Sequence, residues 1–352
     1  MSPAERSNVT RIIDQGFVIA VLGTLGLTTA CGGSDGGPNQ DHAGTLEIRA
    51  VTVEPAASPE GNAVRFFKTE LERTSGGAIA VHALAADGPS DQGNIERVSS
   101  GSIEMTVVQA RNWDEFGVTS MQALQTPFLI TTDTAAVAAT GGDAAKELMS
   151  GLSSKGVEGL ALWPIDLRHP VSFGEPLLSP DDFKGIRVRI IGSTITKNVI
   201  QALGAEPVAE FDDSVQGAES AYDRAYSLPG PGTFSGNVTF YPRVDVFVIN
   251  SAFLKSLTPA QQAAVRSAAE ATRKSVVDGI VADAEQAQTY CSDDGGSVAL
   301  ASETQLAAFS DALRPIEATI AENALSKKLI ATIRTQTLSL PAAEPTVACG
   351  QP

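Results

Sequence analysis

Between Thr45 and Val108 the chain keeps switching its hydrophobic period, and this alternation constrains the fold more than any other feature. Leu46–Val53 reads as a strand. Past Pro55, Ser58-Pro59-Glu60 starts a helix that carries Val64, Phe67 and Leu71 on one stripe and ends at Gly76-Gly77. A second strand, Ala78–Leu84, turns at Asp87-Gly88-Pro89 into a helix over Gln92–Ser100, which Gly101 stops; Ile103–Val108 is the third strand. Strand and helix in alternation predict an α/β domain whose parallel sheet is covered by helices.

A second α/β segment covers about Ala161 to Val208, and it contains IRVRIIGSTITKNVIQALGAEPV from Ile186 to Val208. Period-two geometry sends Ile186, Val188 and Ile190 to one side of the strand and Arg187 and Arg189 to the other. Ser179-Pro180-Asp181-Asp182 predicts a short helical turn upstream. Downstream, Gly192 breaks the strand, Ser193 or Thr194 caps a helix carrying Ile195, Val199, Ile200 and Leu203, and Gly204 serves as a left-handed stop. Ligands of open α/β sheets gather at the carboxyl ends of strands, and Arg189 sits near such an end. Another strand follows at Val244–Asn250. Thr258-Pro259-Ala260-Gln261 is a capping box, and the alanine-rich run behind it predicts one helix to about Tyr290, about 45 Å long.

Residues Phe17–Leu27 form a short apolar run that cannot span a bilayer, followed by Leu27-Thr28-Thr29-Ala30-Cys31-Gly32. This resembles the signal peptide of a bacterial lipoprotein. The resemblance implies a signal peptide over 1–30, diacylglycerol on the Cys31 sulfur, and a flexible glycine-rich tether over 31–44. Two cysteines then remain, Cys291 and Cys349. Outside the cytoplasm such a pair predicts a disulfide, worth roughly 4 kcal/mol in chain entropy for a loop of about sixty residues.

The rest of the chain exceeds what one hydrophobic core usually supports, so two domains are expected. With 41 acidic against 25 basic residues the net charge is −16, which argues against nucleic acid as a partner. The three histidines, His42, His82 and His169, show no metal-ligand spacing. No GxSxG, HExxH, GxxxxGK[ST] or GxGxxG run is present, so the sequence implies neither cofactor nor metal and favours binding over turnover.

From about Thr45 to Ala269 the chain resembles the extracytoplasmic solute-binding proteins of tripartite ATP-independent periplasmic (TRAP) transporters. The likeness is carried by FFKTELERTSGG (Phe66–Gly77), ERVSSGSIEMTVV (Glu96–Val108), Thr126-Pro127-Phe128-Leu129, SPDDFKGIRVRIIGSTITKNVIQALGAEPV (Ser179–Val208) and VFVINSAFLKSLTPAQQAAV (Val246–Val265). It implies a two-domain, periplasmic-binding-protein-like clamp with mostly parallel sheets, crossing strands and a long domain-spanning helix. One domain would comprise 45–165 with about 246–285, the other 166–245 with about 286–352. It also implies a small carboxylate ligand, delivery to integral-membrane TRAP permease subunits, and a location outside the cytoplasmic membrane, held there by the lipid anchor.

In that family the arginine of K-G-x-[KR]-[ILV]-R holds the ligand carboxylate; the matching residue is Arg189 in Lys184-Gly185-Ile186-Arg187-Val188-Arg189, and Arg187 is left to solvent or an acid. A second family arginine follows a tryptophan, which makes Arg168 in Trp163-Pro164-Ile165-Asp166-Leu167-Arg168 the next candidate. A V-D-G-x-E-[NT] run is expected after the helix. Set against Tyr222-Asp223-Arg224-Ala225-Tyr226-Ser227, it lacks Gly and Glu, and Ser227 stands where a ligand-facing Asn or Thr is expected. Tyr226 joins Trp163, Phe173, Tyr222 and Phe234 as residues that line a pocket or else pack in a core. The alternatives are an ABC-type binding lipoprotein and a secreted enzyme on a two-domain α/β scaffold.

Overall fold

The structure is a computed structural model that describes residues 45–341 and 343–350; the signal peptide, Cys31 and the tether expected over 31–44 lie outside the described residues. In chain order its elements are β1 (Leu46–Val51), α1 (Pro59–Thr74), β2 (Ile79–Leu84), α2 (Asp91–Ser100), β3 (Met105–Gln109), α3 (Asp133–Ala139), α4 (Gly142–Met149) and β4 (Val157–Ser172). Then come β5 (Arg187–Arg189), α5 (Thr194–Ala202), β6 (Glu206–Val208), β7 (Gly217–Ser220), β8 (Thr233–Ser235) and β9 (Tyr241–Asn250). The chain continues through α6 (Ser251–Ser256), α7 (Pro259–Asp278), α8 (Asp283–Asp293), β10 (Ser297–Ala299), α9 (Glu303–Ile320) and α10 (Ala324–Leu338).

The strands run in the order β2-β1-β3-β9-β4-β7-β5-β6, with β8 on β4 and β10 on β8. The βαβαβ unit forms as expected: β1 pairs parallel with β2 and β3. The expectation of mostly parallel sheets needs correcting to a mixed arrangement, because β9 runs antiparallel to both β3 and β4, and β4 runs antiparallel to β7 and β8. At sixteen residues β4 is the longest strand, pairing with β9 over Val157–Arg168 and with β7 over His169–Ser172. Pro164 is tolerated inside it because the register shifts between Pro164 and Asp166, a bulge that releases the ladder at a residue without an N–H.

Local signals behave as the sequence predicts. Ser58 caps α1 by accepting from the Gly61 N–H, Ser193 caps α5, and Thr258 and Gln261 form a reciprocal box on α7. Gly204 follows α5 with φ +87°, a conformation that costs glycine little. The helix expected to run to Tyr290 instead stops at Asp278. Gly279 weakens the helix interior, Ala282 turns extended, and the acids Asp283 and Glu285 favour a new helix N-terminus. Of the two pieces, α7 packs on α1 and β4, while α8 packs on β10 and the 3₁₀ turn Tyr222–Ser227.

The helix α1 stripe meets the sheet where Phe67 stands edge-on to Phe247, ring centroids 4.7 Å apart, with Trp163 at 5.1 Å from Phe247 on its other flank. Tyr222, Phe234 and Tyr290 form a separate small core. Trp163, Tyr222 and Phe234 are therefore packing residues. Phe128 is held at φ +58°, unfavourable for a bulky side chain, by its N–H bond to Phe240 O (3.0 Å) and by its ring contacts with Phe240 and Phe309.

The tail folds back as the paired cysteines predict. Cys291, in α8, and Cys349 are disulfide-bonded with Cα atoms 6.0 Å apart, and Cys349 exchanges backbone hydrogen bonds with Val298 of β10 (2.8 and 3.1 Å). Non-reducing peptide mapping of exported protein is expected to recover the Cys291–Cys349 cross-link; recovery of both thiols free contradicts it.

His169 is fully buried in β4 between two acceptors. Its Nδ1 lies 3.1 Å from Val238 O and its Nε2 3.0 Å from Asp283 Oδ1, two acceptors that together favour the doubly protonated ring. Burial pulls its pKa down, but Asp283, the Val238 carbonyl and Asp166 outweigh it and leave the pKa above the usual value. A raised histidine pKa gives stability that is full below the unfolded pKa of about 6.5 and lost as pH rises through the folded value. Stability is therefore expected to fall with rising pH above about 6.5, and Asp283→Asn is expected to flatten that slope in denaturant titrations across pH; an unchanged slope removes His169 as its source.

Candidate functional site

Strand ends converge on a buried cluster of opposite charges. After β3, the 3₁₀ turn Ala110–Asp114 places Arg111, whose Nε donates to Gln109 Oε1 (2.9 Å) and whose Nη1 donates to both oxygens of Glu219 (3.2 and 3.1 Å). Glu219 lies in β7. On β4, Arg168 Nε is 2.8 Å from Asp166 Oδ1 and 3.6 Å from Glu219 Oε1. One buried carboxylate thus serves Arg111 and Arg168 together. Burial would raise the Glu219 pKa, yet Arg111 and Arg168 hold it below the ordinary carboxylate value.

Next to this knot is Arg189. It lies half-buried on β5, donates from Nε to Ala209 O (3.3 Å), and places its guanidinium 5.3 Å from the Phe211 ring centroid. Among the described residues it makes no ion pair. Burial lowers its pKa, and Arg168 and Arg111 push the same way against Glu219 and Glu210. A second unsatisfied donor is close in kind: Arg111 Nη2 is buried and has no hydrogen-bond partner among the described residues. Arg187, on the same strand, is already satisfied at the surface by Asp212 at 2.8 Å and by Ser214.

A second set of charges adjoins the first. Arg243 of β9 reaches Glu54 Oε1 (2.8 Å), Glu60 Oε1 (2.7 Å) and Asp245 Oδ1 (3.1 Å). Arg224, on the turn after β7, reaches Glu60 Oε1 (2.7 Å), Glu54 Oε2 (3.3 Å), and Asp166 Oδ2 and Asp223 Oδ2 (3.6 Å each). Burial would raise the Glu60 pKa, but Arg243 and Arg224 bring it to about 2; burial pushes Asp245 up to about 7 despite Arg243. Between the two sets lies a cavity of about 10 Å³, room for about one water, lined by Arg111, Gln125, Arg243, Met121, Leu124 and Val244 among others. Gln125 Nε2 is buried there and has no hydrogen-bond partner among the described residues.

The sequence-predicted residues separate into three groups. Arg189 and Arg168 are brought together, but Arg168 is enclosed by Asp166 and Glu219. Ser227 donates its hydroxyl to Arg224 O (2.7 Å) within its own turn, and Tyr226 is 70% exposed with its hydroxyl 3.4 Å from Arg224 Nη1. No hydrogen bond or ion pair among the described residues links Ser227 or Tyr226 to Arg189. On the strand before that turn, Val215-Gln216-Gly217-Ala218-Glu219-Ser220 carries a Gly and a Glu at the spacing of the run expected at Tyr222–Ser227. Gly217 belongs in it for a packing reason, since a Cβ there would come within 2.9 Å of Val171 O on β4. Arg111, Arg224 and Arg243 were not singled out from the sequence; for Arg111 the available signal was its position just past the carboxyl end of β3, the rule already applied to Arg189.

This fold is shared with solved TRAP periplasmic solute-binding proteins. One from Bradyrhizobium sp. BTAi1, in complex with α/β-D-galacturonate, matches with TM-score 0.72 and 22% identity over 82% of this chain and 99% of that one. One from Shewanella oneidensis with bound succinate matches with TM-score 0.72 and 18% identity over 83% and 99%. A family profile described as bacterial extracellular solute-binding protein, family 7, matches residues 50–210 and 239–323. The chain belongs to this family, the solute-binding proteins of TRAP transporters. It is 28% identical over 177 residues to the C4-dicarboxylate-binding periplasmic protein DctP of Rhodobacter capsulatus, covering 50% of this chain and 53% of that protein. It is 26% identical over 182 residues to the C4-dicarboxylate-binding protein DctB of Bacillus subtilis, covering 48% and 51%. The chain thus spans about half the length of the curated relatives it matches, and these relatives are binding proteins rather than enzymes. The unmatched stretch between the two profile blocks holds β7, Glu219 and the Arg224 turn.

Breaking a buried ion pair by removing one partner costs about 3–5 kcal/mol. Glu219→Gln leaves Arg111 and Arg168 with one shared carboxylate fewer and is expected to lose stability on that scale in chemical denaturation. A loss within about 0.5 kcal/mol, the range of ordinary surface substitutions, contradicts the placement of Glu219 at the centre of the knot.

Proposed function

We propose that this chain is an extracytoplasmic solute-binding lipoprotein that captures a small organic carboxylate and hands it to a TRAP-type permease. The observation that carries the reading is Arg189: a half-buried guanidinium beside two buried arginines, with no carboxylate of its own among the described residues. A planar guanidinium offers two parallel donors to a carboxylate, which lysine cannot match. Arg111 Nη2 supplies a further donor from the opposite sheet region. Arg168 acts as a support, holding Glu219 and through it Arg111, rather than as a direct contact. Names of the relatives point the same way, since galacturonate, succinate and C4-dicarboxylates are all carboxylates.

Arg189→Ala is expected to weaken binding of the cognate carboxylate by about 3–5 kcal/mol, roughly a hundred- to several-thousand-fold in Kd, as for other desolvated pairs. Arg189→Lys should restore part of this loss, and Arg187→Ala should stay within about threefold of wild type, since its partners are at the surface. Calorimetric titration with a carboxylate found by thermal-shift screening reads all three; wild-type affinity in Arg189→Ala refutes the clamp. Anchoring is tested separately. Intact-mass analysis of exported protein should show a chain beginning at acylated Cys31, and an unmodified cysteine there rejects the lipoprotein reading.

A further inference from the structure

We infer that the protein carries a second binding site, separate from Arg189, which takes a small organic cation: a protonated amine on an apolar body. The site is a cavity of about 740 Å³ bounded by the start of α3, the middle of β4, the α7–α8 junction and the tail segment 343–346. Small-molecule sites run to roughly 300–1,000 Å³. Among the described residues no arginine lines this cavity, so it does not belong to the charge cluster around Glu219.

Its ionisable lining is acid alone: Asp133, Asp283 and Glu344, with no Lys, Arg or His among the described residues. Asp133 and Asp283 open α3 and α8, where acids are common, so position by itself marks nothing. Their surroundings do. Asp133 Oδ2 accepts the Asp283 N–H (2.9 Å), which sets two carboxylates side by side, and behind them His169 Nε2 lies 3.0 Å from Asp283 Oδ1. Arg273, which reaches the far end of α3, is turned to the carbonyls of Val137 and Thr140 (3.2 Å each). Burial raises the Asp133 pKa and the Asp283 charge adds to it, more than the Asp283 N–H and His169 take back. An ammonium beside Asp133 removes that penalty. A second observation lies at the same wall. The Tyr222 ring packs on His169 (5.2 Å), and its buried hydroxyl has no hydrogen-bond partner among the described residues. A Cβ on Gly236 would stand 3.1 Å from that hydroxyl and 2.9 Å from Thr346 Cγ2, and Gly236 and Thr346 both line the cavity. Burial and the Asp283 charge keep Tyr222 a neutral phenol, whose oxygen can accept from an ammonium N–H. Val137, Leu167, Val277 and Ile280 make the remaining wall apolar, which suits a carbon-bearing cation rather than a metal ion that demands oxygen ligands throughout.

The test is isothermal titration of the purified protein with phenethylamine and with 2-phenylethanol, which has the same body without the charge. The amine is expected to bind at least about tenfold more tightly. Asp133→Asn keeps an oxygen to accept the Asp283 N–H and is expected to weaken amine binding about tenfold, with circular dichroism unchanged. Glu344→Gln, at an exposed tail residue that folding does not need, is expected to weaken it about two- to threefold. Arg189→Ala is expected to leave amine affinity within about threefold of wild type, which separates this site from the carboxylate site. The inference is overturned if neither phenethylamine nor cyclohexylamine gives binding heat or a thermal shift at about 10 mM. It is equally overturned if amine and alcohol bind alike, if Asp133→Asn binds the amine as wild type does, or if Arg189→Ala abolishes amine binding. None of these results touches the carboxylate function, which is read by its own titration.

Discussion

Glu219 is the residue on which the charge cluster depends. It is fully buried in β7, and its two oxygens are shared between Arg111, which follows β3, and Arg168, which lies in β4. β7 is laddered to β4, with Glu219 opposite Pro170, while β3 is separated from β4 by β9, so one carboxylate ties the turn after β3 to a strand pair with which β3 shares no ladder. A lone buried carboxylate would gain a proton; two guanidiniums keep this one charged. Hydrophobic residues of similar volume usually stabilise a fold as well as a buried ion pair does. A knot of at least four buried arginines is therefore poor economy for stability alone, and its value lies in the geometry it imposes on Arg111 and Arg189.

Much of the fold was legible because it depends on local chemistry. Period-two runs became β1, β2 and β3, the caps Ser58, Ser193 and Thr258 opened helices, and Gly204 closed one. What local chemistry could not show was strand direction, which is set by pairing between distant segments: β4 and β9 lie far apart in sequence and run antiparallel. The α7 to α8 break was missed for a different reason. Alanine-rich sequence on both sides of Gly279 favours helix so evenly that one glycine looked tolerable, whereas packing on α1 at one end and on β10 at the other pulls the two pieces apart.

The site was legible only where a residue carried its own signal. Arg189 combined a strand end with a family pattern. Arg224 and Arg243 carried none, because Glu54 is 170 and 189 residues away from them and no spacing rule connects such positions. Glu219 carries no such signal, because an acid in a short strand has the same local sequence whether it faces solvent or two guanidiniums supplied by distant segments. The Arg224 turn is irregular, with a Tyr226 side chain in solvent and a serine bonded back to its own backbone, so nothing in its composition marked it as structural.

The network also bears on how binding and closure are coupled under the proposed function. Arg111–Glu219 and Arg224–Glu54/Glu60 are satisfied by protein groups alone, so they hold these elements together whether or not a ligand is bound. Arg189 differs, since burying its guanidinium beside Arg168 and Arg111 strips water from a charge that no carboxylate pairs directly among the described residues, though Glu219 and Glu210 act on it from farther off. A carboxylate changes the sign of that one contribution while leaving the others as they were. If the elements also separate, a ligand can shift that equilibrium only by its differential affinity for the two states, and under the proposed function that difference is concentrated in one desolvated charge. Placing at the strand end a cation with no direct ion pair among the described residues, while each other arginine of the cluster has at least one, concentrates that differential affinity at Arg189.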